Sequence, residues 1–264
     1  MRVYVEGIGL NGPGLDGWQA SREVLTGATA YVSAPTNLNA GSMLPPAERR
    51  RAGVPIKLAM EVGQEAFEHA QRDAAATATV FTSSGGDNDN VHAICEILVT
   101  APHEVSPTRF HNSVHNASAG YWGIASQSRE PSTSLCAYDA SFAAGLLDAA
   151  VQSVVDRIPV ALIAYDHPYP IPLDAVRHIE ASFGVAMVLV PQQTDRAFAV
   201  LDIEYVAAHG EPTRMQEPAL EKLRHGIPAA RSLPLLAALA RNESASLAMD
   251  YCGDAHLRVF VATC

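Results

Sequence analysis

Residues 142 to 155 constrain the fold most. The segment reads Phe142-Ala143-Ala144-Gly145-Leu146-Leu147-Asp148-Ala149-Ala150-Val151-Gln152-Ser153-Val154-Val155 and is apolar on nearly every face of a helix. A surface helix keeps one polar side, so a helix of this kind is expected in the middle of a domain or between sheets. A strand over Ser132 to Ala137 leads into it through Tyr138-Asp139-Ala140-Ser141, which makes a sharp strand-to-helix elbow. The chain must therefore provide enough layers to cover that helix on all sides. With 264 residues, 48% of them hydrophobic, it has the material.

The rest of the sequence alternates strands with helices. An opening strand ends in glycines near residue 12, and a long polar connection runs to residue 54 with one short helix over Trp18 to Leu25. Leu58, Ala59, Val62, Ala66 and Ala70 then recur at helical spacing. Thr77 to Phe81 reads as a buried strand, followed by the turn Thr82-Ser83-Ser84-Gly85-Gly86-Asp87-Asn88 and a helix through Val91 to Leu98. Between 105 and 122, helix starts fit at Ser106-Pro107 and at Asn116. Strands follow at Val160 to Tyr165, Val185 to Val190 and Ala197 to Val206, with room for a short helix over Leu173 to Ser182. A Pro- and charge-rich passage from 209 to 231 precedes a helix over Leu233 to Arg241 and a hairpin pairing Ser246 to Tyr251 with Leu257 to Ala262. The pattern defines an α/β protein.

Charge and composition exclude several functions. Lys plus Arg number 18 against 28 for Asp plus Glu, a net charge of -10, which argues against a nucleic-acid binder. Charged residues make up 17%, below the roughly 25% of an ordinary soluble domain, and a covered subunit interface is the simplest reason. No apolar run approaches the ~20 residues of a membrane span, and the opening residues carry no signal-peptide pattern. The four cysteines, at 95, 136, 252 and 264, form no close pair. They read as reduced, mostly buried thiols of a cytoplasmic protein.

Candidate chemistry is sparse. The Ser83-Ser84-Gly85-Gly86 turn fits either a locally capped turn or an anion-holding loop, and it matches no phosphate-binding motif. His111 and His115 stand four apart, so one helix would place both on one face; a buried polar network, an interface or acid/base work all fit, and no third metal ligand is nearby. No metal and no cofactor is expected. Asp139 sits where a carboxylate caps a helix N-terminus. Cys136 lies in the strand, with no base placed beside it by spacing.

Several of these segments, taken in order, resemble beta-ketoacyl synthases of the thiolase superfamily. They are Arg49-Arg50-Arg51 with the following helix, Ser83-Ser84-Gly85-Gly86, Ser106-Pro107-Thr108 through Asn112-Ser113 and Asn116-Ala117 to Gly120, Pro131-Ser132-Thr133-Ser134, and Asp139-Ala140-Ser141-Phe142. Phe110-His111-Asn112-Ser113-Val114-His115-Asn116 and Tyr138-Asp139 resemble the short chain-length-factor proteins of aryl polyene-type pigment clusters. The resemblance implies a thiolase-like fold in a single domain, with residues 1–206 matching the family's N-terminal half and 207–264 forming a shortened C-terminal part.

It also places Asp139 where the family carries its nucleophilic cysteine, and it leaves no matched histidine pair. A carboxylate there cannot carry an acyl chain as a thiol does. No catalytic residue is therefore expected. The chain is expected to be a non-catalytic subunit in a heterodimer with a catalytic ketosynthase, contacting acyl carrier protein mainly through that partner. Phe110, His111, Asn112, His115, Asn116, Asp139 and Phe142 are the expected tunnel or interface residues. The alternatives are an autonomous condensing enzyme or acyltransferase using Cys136 or Asp139, and a purely structural scaffold.

Overall fold

The computed structural model describes residues 1–38, 43–100, 104–208 and 210–264. Its centre is one nine-stranded sheet, with β4(Ser132–Leu135), β3(Ala78–Thr82), β5(Val160–Asp166), β6(Phe183–Val190), β1(Arg2–Gly12), β7(Ala199–Val206), β9(His256–Thr263) and β8(Ala245–Asp250) in that order. Short β2(Leu15–Asp16) pairs with β1. β4, β3 and β5 run parallel, and every other pairing is antiparallel.

Strand periodicity divides the side chains between two cores. In β5, Val160, Leu162 and Ala164 join one core, and Ala161, Ile163 and Tyr165 join the other. Both faces of β5 and β6 are buried, which is why these strands read as unbroken apolar runs. The first core holds α1(Trp18–Thr26), α7(Ser141–Asp156) and α9(Leu233–Arg241), with Leu220 and Leu223 of α8(Pro218–Gly226). The second holds α3(Val54–Ala70) and α6(Ala117–Ser126).

In β1 the apolar parity switches between Val3, Val5 and Ile8, Leu10, all four of which face the first core. A register shift between Val5 and Gly7 in the pairing with β6 accounts for the switch. On the opposite face Gly7 and Gly9 let α3 sit directly on the strand: an added Cβ would lie 2.1 Å from the Ala66 carbonyl oxygen or 1.9 Å from that of Val62.

Several expectations change. α2(Pro46–Arg51) lies within the supposed polar connection; six residues are too few to develop a periodic signal. Leu173 to Ser182 yields only a 3₁₀ turn at Leu173–Ala175, and the passage from 209 to 231 contains α8 and runs into another 3₁₀ turn at Ala229–Ser232. The central helix α7 is covered over most of its surface, but Val151, Val154 and Val155 are exposed. The four cysteines are exposed rather than buried. No helix among the described residues is long and apolar enough to cross a membrane.

Candidate functional site: the elbow and the β4 edge

β4 ends at Leu135, so Cys136 lies outside the strand, and its thiol donates to the Ser84 carbonyl at 3.3 Å. Tyr138–Ala140 form one 3₁₀ turn, and α7 begins at Ser141. The Ser141 hydroxyl donates to the Tyr138 carbonyl at 2.7 Å and accepts from the Ala137 amide at 3.1 Å, which ties the turn together from inside the helix. Tyr138 has φ 53°, the left-handed region that a bulky side chain rarely occupies.

Asp139 is not a helix cap. The residue at the cap position is Ala140, and no side chain caps the helix. Instead Asp139 Oδ1 accepts from Arg177 Nη2 at 2.8 Å, and Oδ2 lies 3.2 Å from Arg231 Nη2. Arg231 also donates to Asp250 Oδ2 at 3.0 Å, at the end of β8. Two arginines and two aspartates thus balance in charge, and both guanidiniums are largely withdrawn from water. The Arg177 guanidinium lies 3.5 Å from the centre of the Tyr138 ring. Sequence spacing could not find this cluster, because its members come from residues 139, 177, 231 and 250.

Among the described residues Asp139 touches no histidine; His225 is exposed on α8, and His256 Nδ1 is 2.7 Å from the Ala208 carbonyl. His209 lies outside the described residues. No group of metal-ligating side chains occurs among the described residues.

Next to the elbow, Asp166 closes the C-terminal end of β5 and is fully buried. It accepts from the Ser84 amide at 2.8 Å, the Ser84 hydroxyl at 2.6 Å and the Ala229 amide at 2.8 Å. Burial outweighs those bonds and pushes its pKa up to about 6 from 3.8. A folded-state pKa above the unfolded one adds stability below about 3.8, and this contribution is lost as the pH rises through about 6. Urea unfolding of wild type and Asp166→Asn across pH 4 to 8 isolates this group. The difference between them should move in the variant's favour as pH rises through 6; a difference independent of pH would contradict the assignment.

The segment from 105 to 122 is two helices, α5(Pro107–Asn112) and α6, each starting where the sequence indicated. The break at 113–116 separates His111 from His115, so they do not share a helix face. His111 packs edge-on against Tyr121, while His115 Nε2 lies 3.0 Å from the Ser83 carbonyl. Asn112 is buried; it donates to the Arg51 carbonyl at 2.8 Å and accepts from the Tyr121 hydroxyl at 3.1 Å, which binds α2 to α6. Asn116 precedes α6 without a side-chain cap. Phe142 is fully buried in the first core.

Phe110 is 71% exposed. With Pro107, His111, Val114, Asn116, Ala117 and Gly120 it lines an open, mainly apolar groove of about 490 Å³. Leu98 and Val99 at the end of α4(Asn88–Val99), Val114, Ile124 of α6 and Val155 of α7 are exposed as well. Among the described residues β4 pairs only with β3, and α6 and α7 contact it. An unpaired strand edge and exposed apolar side chains are features of interaction surfaces.

Fold and elbow together define a thiolase-like α/β protein with a charge-balanced carboxylate at its strand-to-helix elbow. Residues 18–250 match the family described as beta-ketoacyl synthase, N-terminal domain, and the chain belongs to that family. No curated protein matches it in sequence. The fold is shared with solved structures of low identity. One is a chain from the ketosynthase ApeO in complex with its chain length factor ApeC from Xenorhabdus doucetiae, at 20% identity and TM-score 0.73, covering 98% of this chain and 99% of that one. The ishigamide ketosynthase/chain length factor gives 13% and 0.76, covering 100% and 99%. A chain of AntDE:AntF, a type II PKS acyl-carrier protein in complex with its ketosynthase, gives 10% and 0.75, again covering 100% and 99%.

Proposed function

We propose that this chain is a non-catalytic, chain-length-factor-like subunit. It pairs with an active ketosynthase and shapes the cavity in which a carrier-bound acyl chain is elongated. The observation that carries this reading is the elbow, where Asp139 is held by Arg177 and Arg231. A carboxylate already engaged by two guanidiniums is a poor nucleophile and forms no thioester. Ketosynthase–chain length factor complexes of the same fold support the choice of partner. The exposed apolar groove and the open β4 edge supply the surface it would cover.

On this reading residues 1–206 correspond to the family's N-terminal half and 207–264 to a shortened C-terminal part. The protein works in the cytoplasm in an aryl polyene-type pathway. With a net charge of -10, it leaves contact with an acidic carrier protein mainly to the ketosynthase.

The test is reconstitution. Purified alone with acyl- and malonyl-carrier protein, the chain should form no condensation product above background. Co-expressed with its ketosynthase, it should elute as a heterodimer that elongates. The exposed thiol of Cys136 favours one rival, an autonomous condensing enzyme. Turnover by the single chain that disappears in Cys136→Ala would establish that rival and end the subunit reading.

A further inference from the structure

Tyr138 combines three features that folding alone does not explain. Its φ of 53° is strained for an aromatic residue. The residue is 59% exposed, so little burial compensates the strain. Yet it is held in place: the Ser141 hydroxyl donates to its carbonyl at 2.7 Å, and the Arg177 guanidinium lies 3.5 Å from its ring centre. Arg177 is fixed in turn by Asp139, which also meets Arg231, itself anchored to Asp250. Arg177, from a distant part of the sequence, thus meets one exposed ring at the elbow and is itself tied into a cluster of four charged side chains. Apolar Val176, beside Arg177 in the chain, is exposed too, as is Ile171.

We infer that Tyr138 is a contact residue for the growing acyl chain in the assembled pair, and that Arg177 is its positioning residue. This rests on the pairing reading above. One face of the ring meets a cation and the remainder is exposed, which suits an apolar, polarisable acyl chain better than a charged group. The strain is maintained because it fixes the ring's direction. A glycine at 138 would adopt the same backbone without strain and without the ring.

Four variants with the wild type test this: Tyr138→Ala, Tyr138→Phe, Tyr138→Gly and Arg177→Met. Each is co-expressed with the ketosynthase; pairing is read by size-exclusion chromatography and carrier-bound products by mass spectrometry. Tyr138→Ala and Tyr138→Gly should pair like wild type and change the ratio of the two main product lengths at least fivefold. Tyr138→Phe should keep the wild-type distribution, and Arg177→Met should broaden it. Tyr138→Gly should melt no lower than wild type.

If the wild-type chain does not pair, the subunit reading falls and takes this inference with it. If all pairs form and Tyr138→Ala makes wild-type products, this inference alone falls. Loss of pairing in Tyr138→Ala would make the ring a subunit contact, and a much lower melting point in Tyr138→Gly would make it a structural one. Either result overturns the inference.

Discussion

Replacing Asp139 with Asn should destabilise the chain as much as replacing it with Ala. A capping carboxylate behaves otherwise, because Asn is among the best capping residues and should retain most of the stability. Here the carboxylate faces two guanidiniums, Arg177 at 2.8 Å and Arg231 at 3.2 Å. An amide in its place would accept from one arginine and turn its own N–H groups toward the other. Removing one member of a fully buried pair costs about 3–5 kcal/mol. Asp139 keeps 42% of its side-chain exposure, so solvent screens part of that loss, and about 1–2 kcal/mol is the appropriate expectation. Arg177→Met in the Asp139→Asn background should recover part of the loss, since it removes the cation left without a counter-charge. Arg231 suits this less well because Asp250 still holds it. Urea unfolding of both single variants and the double variant completes the cycle. A mild Asn variant beside a damaging Ala variant would restore the cap.

The difference between the two accounts of Asp139 shows where sequence reasoning stops. The elbow itself was legible, because a strand followed at once by a nearly all-apolar helix leaves little else for Tyr138 to Ser141 to do. The helix starts at Ser106-Pro107 and Asn116 were legible too, since capping preferences are local. What Asp139 touches depends on Arg177, Arg231 and Asp250, whose meeting is set by the order of β5, β6 and β8 in the sheet. His111 and His115 show the same limit on a shorter scale. Their spacing of four has meaning only if the helix continues, and it breaks at 113–116. Composition alone puts the cysteines inside, whereas Cys252 sits in the turn between β8 and β9 and is exposed. Asp166 carries no signal in the sequence, because one aspartate at the end of a strand looks like any other; the fold sets it apart by bringing the Ser84 and Ala229 amides to it.

Phe110→Glu should abolish pairing with the ketosynthase while leaving the single chain as stable as wild type. Phe110 is 71% exposed and belongs to neither core, so little in the fold depends on it. Surface substitutions of this kind usually stay within about 0.5 kcal/mol. In an assembled pair the ring would line the apolar groove with Val114, Ala117 and Gly120 and pack against the partner. Aromatic anchors at such positions contribute about 2–4 kcal/mol, and burying an unpaired carboxylate in their place adds a further cost. At 1.4 kcal/mol for each tenfold, the affinity should fall by at least ~100-fold. Phe110→Leu, which keeps an apolar side chain, should lose much less. Size-exclusion chromatography of co-expressed chains reads the pairing, and thermal melting of each single chain reads the fold. Equal pairing by Phe110→Glu and wild type would move the interface off this groove. A lowered melting point in the variant would instead mean that Phe110 supports the fold, and the groove would lose its claim as a free surface.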